Sequence, residues 1–223
     1  MFDFIDILPI IDEQTCPQRL IDIHTYQLVF FADRKTLPKY TILSHRWIEG
    51  QEVTFQEFLN PTEKTKAKSG YKKIIDACNF TREHGGWKEG YIWIDTCCIN
   101  KQDQDELSWN IASMAAFYRN ATICYAYLFD IESAGPDMFT TLSASSYFTR
   151  GWTLQELIIP YQVLFIDRNW HQIGFKMQSN SPQKDLQAMT GLDSFSDEFS
   201  YPTPDLYNLL RTLGRRQTFI PED

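Results

Sequence analysis

The chain has 223 residues, 43% hydrophobic and 22% charged, which is typical of a globular domain with a substantial core. Its 29 acidic residues outnumber its 21 basic ones and give a net charge of −8, so nucleic acid is a poor candidate for a partner. No apolar run approaches the roughly 18 residues of a membrane span, and the N-terminus lacks the basic start of a signal peptide; both predict a soluble, cytoplasmic protein.

The order of apolar and polar residues predicts strands that alternate with helices. A loosely structured lead-in over residues 1–18 precedes a hairpin over Leu20–Phe31. The predicted strands are Tyr40–Ser44, Tyr91–Ile94, Thr122–Leu128 and Gln162–Ile166. The predicted helices are Gly70–His84, Asp105–Asn120, and a loop-and-helix segment from Asp137 to Pro160. An irregular tail is expected after the last strand, with a helix over Asp205–Leu213. The alternation and the near-continuous apolar runs predict an α/β fold, a mostly parallel sheet flanked by helices.

The five cysteines are not spaced for a disulfide framework or a zinc site. They are odd in number and include no C-x-x-C pair. They predict buried thiols in a reducing compartment.

Polar clusters follow two of the predicted strands. Ser44–Trp47 follows the first, and Asp95–Cys98 follows the second. Ligands of open α/β sheets bind beyond the carboxyl ends of the strands. We therefore expect both clusters, together with Trp152 and Glu156, to meet at one edge of the sheet.

Trp152 and Glu156 allow two interpretations. Residues four apart share one face of a helix, so an aromatic ring beside a carboxylate would suit a positively charged ring and its sugar. Alternatively, Thr153 and Glu156 fit the S/T-x-x-E capping box, with Trp152 and Leu157 as a hydrophobic staple. Spacing alone favours the cap.

Three segments carry a family resemblance. Tyr40–Trp47, Tyr91–Asn100 and Arg150–Leu157 resemble the signature blocks of the fungal heterokaryon incompatibility (HET) domain over about residues 20–180. His45 stands where the family often has Tyr. Residues 214–223 resemble the start of a further block. The resemblance therefore implies a single HET domain over residues 1–223, the N-terminal part of a longer protein with a NACHT-type or repeat module downstream.

The resemblance implies a role in fungal non-self recognition and regulated cell death. HET domains are also similar to Toll/interleukin receptor-like (TIR) domains, which have a flavodoxin-like fold. Enzymatic TIR domains cleave NAD with the glutamate of a W-x-x-x-E motif, which here falls on Trp152 and Glu156. Many TIR domains are only interaction modules. The alternatives are therefore a self-associating NAD glycohydrolase, a non-catalytic homotypic adaptor, and a receptor for a nucleotide-derived signal.

One carboxylate is enough for the chemistry of an NAD glycohydrolase. Ordinary glycosidases need a second carboxyl group to protonate the leaving oxygen, but nicotinamide is cationic in NAD and departs neutral. Glu156 is thus the predicted catalytic residue, and no metal or cofactor is expected, since NAD is the substrate. The predicted substrate-binding residues are Ser44, Arg46, Trp47, Asp95, Cys98, Arg150 and Trp152.

The binding residues have distinct expected roles, and each has a structural alternative. Trp47 or Trp152 would stack on a base, and Arg46 and Arg150 would pair with the pyrophosphate. Alternatively, Ser44 bonds to backbone, Asp95 caps a turn or pairs with an arginine, and Arg150 forms a structural ion pair. Of Cys97 and Cys98, one is expected to be buried and the other to lie at the mouth of the site. A G-x-G-x-x-G loop is absent from the sequence, which argues against a Rossmann dehydrogenase.

Overall fold

The structure, a computed structural model, describes residues 15–31, 37–84, 90–133, 142, 145–150 and 152–177. The chain forms two compact units. Unit 1 comprises residues 1–43 and 47–123, and unit 2 comprises residues 44–46 and 124–223. Each unit is therefore built from two separate stretches of the sequence.

The described residues of unit 1 form four strands. They are β1 (Arg19–Asp22), β2 (Gln27–Phe30), the first residues of β3 (Thr41–His45) and β4 (Tyr91–Trp93). The strands β1 and β2 form an antiparallel hairpin, β1 also pairs antiparallel with β4, and β4 pairs parallel with β3. The predicted hairpin is confirmed. Its turn is held by the Asp22 carboxylate, which accepts hydrogen bonds from the backbone N–H groups of His24 and Thr25 at 2.8 and 3.0 Å.

Five helices also lie in the part of unit 1 that the structure describes. They are α1 (Phe55–Leu59), α2 (Glu63–Lys66), α3 (Ser69–His84), α4 (Asp95–Cys98) and α5 (Gln104–Asn120). The two predicted long helices are confirmed as α3 and α5. The Asp103 carboxylate caps α5. A capping box of Thr54 and Glu57 opens α1, a signal that would have located this short helix from the sequence.

Aromatic rings fill the core of unit 1. The Trp93 ring centroid lies 5.6 Å from that of Phe117 and 6.2 Å from that of Tyr118, both edge-to-face. All three side chains are buried. Trp93 is therefore a core residue.

A loop of unit 1 packs closely on the start of α3. The Gly70 N–H donates to the Gln51 carbonyl at 3.1 Å, and a Cβ at Gly70 would lie 2.3 Å from that oxygen. Only glycine allows this approach. One turn later, the buried Lys73 ammonium contacts both Glu52 oxygens at 2.8 and 2.7 Å.

In unit 2, the described ranges form three further strands and short helical segments. They are β5 (Cys124–Leu128), a 3₁₀ turn (Ser146–Thr149), α6 (Thr153–Ile158), β6 (Gln162–Asp167) and β7 (Gln172–Met177). The strands β5 and β6 pair parallel, and β6 and β7 pair antiparallel with a bulge at Phe165/Ile166. The expected irregular chain after β6 is wrong for residues 172–177, which form β7. The last residues of β3, Ser44 and His45, also belong to unit 2.

The predicted α/β class and the parallel pairing are confirmed, with antiparallel pairs in addition in both units. The flavodoxin-like topology stays a prediction. Of the helices in the described part of the chain, none is both long and apolar enough to cross a membrane. The predicted helix Asp205–Leu213 and most of the predicted segment after Asp137 lie outside the described residues.

Candidate functional site

A chain of hydrogen bonds in unit 2 ends on the carboxylate of Glu156. The Ser44 hydroxyl, at the end of β3, donates to Glu156 Oε2 on α6 and is also bonded to the Tyr147 hydroxyl. Because Ser44 has a single hydroxyl proton and directs it at the carboxylate, the Tyr147 hydroxyl donates to Ser44. Ser44 and Tyr147 are fully buried, and Glu156 is 6% exposed.

The predicted N-cap of α6 is wrong by one residue. The helix begins at Thr153, and Trp152 precedes it as the N-cap in helical conformation with no side-chain capping bond. The Thr153 hydroxyl points at the carbonyl oxygens of Tyr147 and Arg150, both at 2.8 Å. The Glu156 carboxylate accepts from Ser44, so both side chains of the predicted box also have partners outside it.

Two arginines accompany this carboxylate in unit 2. Arg150 is buried, and its Nη1 donates to the His45 carbonyl at 3.2 Å. Arg46 is half-buried and, among the residues that the structure describes, forms no ion pair. The expected contacts of both guanidinium groups with a pyrophosphate stay predictions.

Trp152 lies one turn before Glu156. Its φ of −63° and ψ of −34° are helical, so the spacing of four residues places both side chains on one face of the helix. Trp152 is half-buried. The arrangement of an aromatic ring beside a carboxylate, predicted from the sequence, is thus compatible with the backbone of α6.

Cys124 and Tyr147 belong to this region, and neither is among the site residues predicted from the sequence. The buried Cys124 thiol on β5 donates to the backbone carbonyl of Glu156 at 3.6 Å. Tyr147 reaches Ser44 across 103 residues of sequence. The position of Tyr147 just before the Arg150–Leu157 block was the available signal, and nothing local indicated its partner.

A second polar cluster lies in unit 1. The Trp47 indole N–H donates to Asp95 Oδ2 at 3.0 Å. The Lys101 ammonium lies 3.6 Å from the centroid of the Trp47 ring and 3.9 Å from Asp95 Oδ2. The structural alternative for Asp95, an arginine partner, is wrong in detail because the cation is Lys101.

Both cysteines of α4 are buried. The Cys97 thiol points at the Ile94 carbonyl at 3.8 Å, and Cys98 Sγ accepts a hydrogen bond from the Ile94 N–H at 3.4 Å. Burial raises the pKa of the Cys97 thiol well above its ordinary value. The expectation that one of the two lies at the mouth of a site is wrong, since neither is exposed. All five cysteines are free and buried, which confirms the predicted buried thiols.

The predicted site residues form two groups, one within each unit. Those of unit 2 are Ser44, Arg46, Arg150, Trp152 and Glu156, and those of unit 1 are Trp47, Asp95 and Cys98. No set of His, Cys, Asp and Glu side chains in the described ranges is arranged to hold a metal ion.

Comparison with known proteins finds similarity to heterokaryon incompatibility proteins. Residues 40–140 match the family model "Heterokaryon incompatibility protein (HET)". Over 165 residues, 70% of this chain, the sequence is 36% identical to "Vegetative incompatibility protein HET-E-1" of Podospora anserina. These matches support a HET domain in this chain.

The matches cover part of this chain and a small part of the relative. The chain covers 11% of the length of the Podospora relative. The family match includes the strand ends at Ser44 and Asp95 but stops before Trp152 and Glu156. No solved structure matches this chain.

Proposed function

We propose that this HET domain acts in heterokaryon incompatibility or regulated cell death by hydrolysing the nicotinamide–ribose bond of NAD. Glu156 is the catalytic carboxylate, and self-association of the domain switches the activity on. The observation that carries the proposal is the Glu156 carboxylate, buried in unit 2 and fixed by the Ser44 hydroxyl.

The biological role rests on the family. The matched relative is named as a vegetative incompatibility protein. The enzymatic part rests on the similarity of HET domains to TIR domains and on the W-x-x-x-E spacing of Trp152 and Glu156. An enzyme that consumes NAD would kill its own cell if unregulated, which is the reason to propose control by self-association.

The main group that the reaction requires from the protein is one fixed negative charge. The bond between C1′ of the ribose and the pyridinium nitrogen breaks, and its electron pair leaves with neutral nicotinamide. The C1′ centre becomes oxocarbenium-like, and the adjacent Glu156 carboxylate stabilises this positive charge. Water then adds to C1′ and releases a proton, giving ADP-ribose. Preorganised electrostatic groups of this kind contribute about 10²–10³-fold in rate.

Other predicted binding residues offer groups that suit the rest of the substrate. Trp152, on the same helix face, offers an aromatic surface for the base. Arg46 and Arg150 offer guanidinium groups for the pyrophosphate. Trp47 suits a cationic ring less well than the sequence suggested, because the Lys101 ammonium already lies over its ring.

The test is a matched pair of charge removals in unit 2. Glu156→Gln keeps an oxygen that accepts from Ser44 but removes the charge, and Glu132→Gln removes an exposed charge from the same unit. Nicotinamide release from NAD is measured by chromatography with the protein dilute and with the protein clustered. We expect Glu156→Gln to lower the rate about 10²–10³-fold and Glu132→Gln to leave it unchanged. Equal rates for Glu156→Gln and wild type would disprove the catalytic assignment.

A second candidate function is a non-catalytic homotypic adaptor. The near-complete burial of Glu156, Ser44 and Tyr147 favours it, since a buried hydrogen-bonded network also specifies a unique fold. Under this hypothesis, clustered wild-type protein releases no nicotinamide. Cell death on expression then persists in Glu156→Gln and depends only on self-association.

A further inference from the structure

Tyr147 contacts the helix that carries Glu156 at two points. Its carbonyl accepts from the hydroxyl of Thr153, the first residue of α6, at 2.8 Å. Its own hydroxyl donates to Ser44, which donates to Glu156 in the same helix. Tyr147 is therefore hydrogen-bonded to the first residue of α6 and, through Ser44, connected to the Glu156 carboxylate.

The turn that carries Tyr147 is itself fixed by hydrogen bonds. The Tyr147 N–H donates to the Ser145 hydroxyl at 3.2 Å. The Asp130 carboxylate accepts from the Ser145 hydroxyl at 2.6 Å and from the Ser146 N–H at 2.7 Å. Because these bonds restrain the backbone on the N-terminal side of Tyr147, its hydroxyl is held before any ligand binds.

We infer that Tyr147, acting through Ser44, is the positioning residue that fixes the Glu156 carboxylate; this rests on the proposed NAD hydrolysis. A carboxylate on a short helix has several side-chain rotamers, and the hydroxyl of Ser44 selects one of them. The Ser44 hydroxyl is in turn oriented by Tyr147, because a hydroxyl that accepts from Tyr147 directs its own proton at Glu156. Ser44 is thus assigned to positioning and not to substrate binding.

The test compares kcat and KM for nicotinamide release from NAD in the clustered protein. We expect Tyr147→Phe to lower kcat about tenfold and Ser44→Ala up to a hundredfold, with KM within about twofold of wild type. Because Tyr147 acts through Ser44, the double variant should have the kcat of Ser44→Ala alone. Multiplied losses in the double variant, or an unchanged kcat in Tyr147→Phe, would overturn the inference.

Tyr40→Phe is the matched control for losing a buried tyrosine hydroxyl. The Tyr40 hydroxyl donates to the Phe117 carbonyl at 2.7 Å in unit 1, and its side chain is also buried. We expect Tyr40→Phe to lower the urea midpoint of unfolding about as much as Tyr147→Phe and to leave kcat unchanged. A fall in kcat that follows the urea midpoint in both variants would mean a purely structural role.

A stability comparison separates this inference from the proposed function. If wild-type protein releases no nicotinamide in any assembled state, the NAD proposal fails. The coupling between Tyr147 and Glu156 is then tested by urea unfolding alone. We expect Tyr147→Phe to lower the urea midpoint less in a Glu156→Gln background than in wild type, since the charge at the end of the chain is gone. Equal shifts in both backgrounds would show that Tyr147 and Glu156 are not coupled.

Discussion

Partly or fully buried carboxylates of the two units have different partners. In unit 1, Glu52 contacts the Lys73 ammonium through both oxygens, and Glu106 contacts the Arg19 guanidinium at 2.5 and 2.9 Å. In unit 2, Glu156 accepts from the Ser44 hydroxyl. The Asp167 carboxylate there accepts from the backbone N–H groups of Asn169 and His171 at 2.8 and 2.9 Å.

The two kinds of contact act differently on the charge of a carboxylate. A cation opposite a carboxylate both fixes and neutralises it. A hydroxyl or N–H group fixes a carboxylate without itself cancelling the charge. A buried carboxylate with a contact of this second kind is able to act on a developing positive charge. Glu156, the proposed catalytic residue, has such a contact with Ser44.

The largest effect on stability is expected from breaking the Lys73–Glu52 ion pair of unit 1. Burial lowers the pKa of Lys73 although Glu52 opposes the shift. Lys73→Met leaves the Glu52 charge uncompensated, and we expect the free energy of unfolding to fall by about 3 kcal/mol in urea titrations. The double variant Glu52→Leu/Lys73→Met is the control, and we expect it to recover most of this loss. No recovery would mean that packing of the lysine stem, and not its charge, stabilises the loop.

A smaller effect is expected from truncating the Glu156 side chain of unit 2. Glu156→Ala removes the acceptor of the buried Ser44 hydroxyl, and we expect a loss of about 2 kcal/mol in the free energy of unfolding. Glu156→Gln retains an acceptor and should stay within about 1 kcal/mol of wild type. If the two variants are equally stable, the Ser44 bond contributes nothing to folding, and the contrast between the units loses its energetic basis.

The smallest effect concerns Asp130, another carboxylate of unit 2 bonded to hydroxyls. Desolvation alone would raise its pKa, but hydrogen bonds from Ser145 and Ser146 outweigh it, and the pKa is lowered. A carboxyl group with a lowered folded-state pKa stabilises the fold above its ordinary value and loses that contribution as pH falls through the folded-state pKa. We expect Asp130→Asn to flatten the acid side of the stability profile by a few tenths of a kcal/mol, since the group is partly exposed.

Urea midpoints between pH 2 and 7 check this expectation. Asp103→Asn serves as the control because it changes a capping carboxylate in unit 1. An identical pH profile for wild type and Asp130→Asn would contradict the lowered pKa.

The elements that the sequence predicts correctly are those with a local pattern. The helices α3 and α5 and the strands β3 to β6 each have several apolar residues at the right period. Strand β7 was missed because Gln172–Met177 mixes a glycine and polar residues into a short stretch. The helix α4 was missed because a single turn is too short to show the helical period of apolar residues.

The candidate site was only half predictable, because its partners are distant in sequence. Glu156 and Ser44 were both chosen, yet the bond between them spans 112 residues, and no local pattern indicated it. The predicted N-cap at Thr153 lies one residue too late, since the helix includes Thr153, whose hydroxyl bonds to the carbonyls of Tyr147 and Arg150. The role of Tyr147 follows only from the tertiary structure.

The shared strand β3 has a consequence for how the protein can be dissected. Three residues, Ser44–Arg46, belong to unit 2 although the rest of that unit begins at Cys124. A fragment cloned from Cys124 onward would carry Glu156 and Tyr147 but not the serine that joins them. Deletion analysis with contiguous pieces is therefore unsuited to this protein, and loss of activity in such a piece would say nothing about which half contains the chemistry.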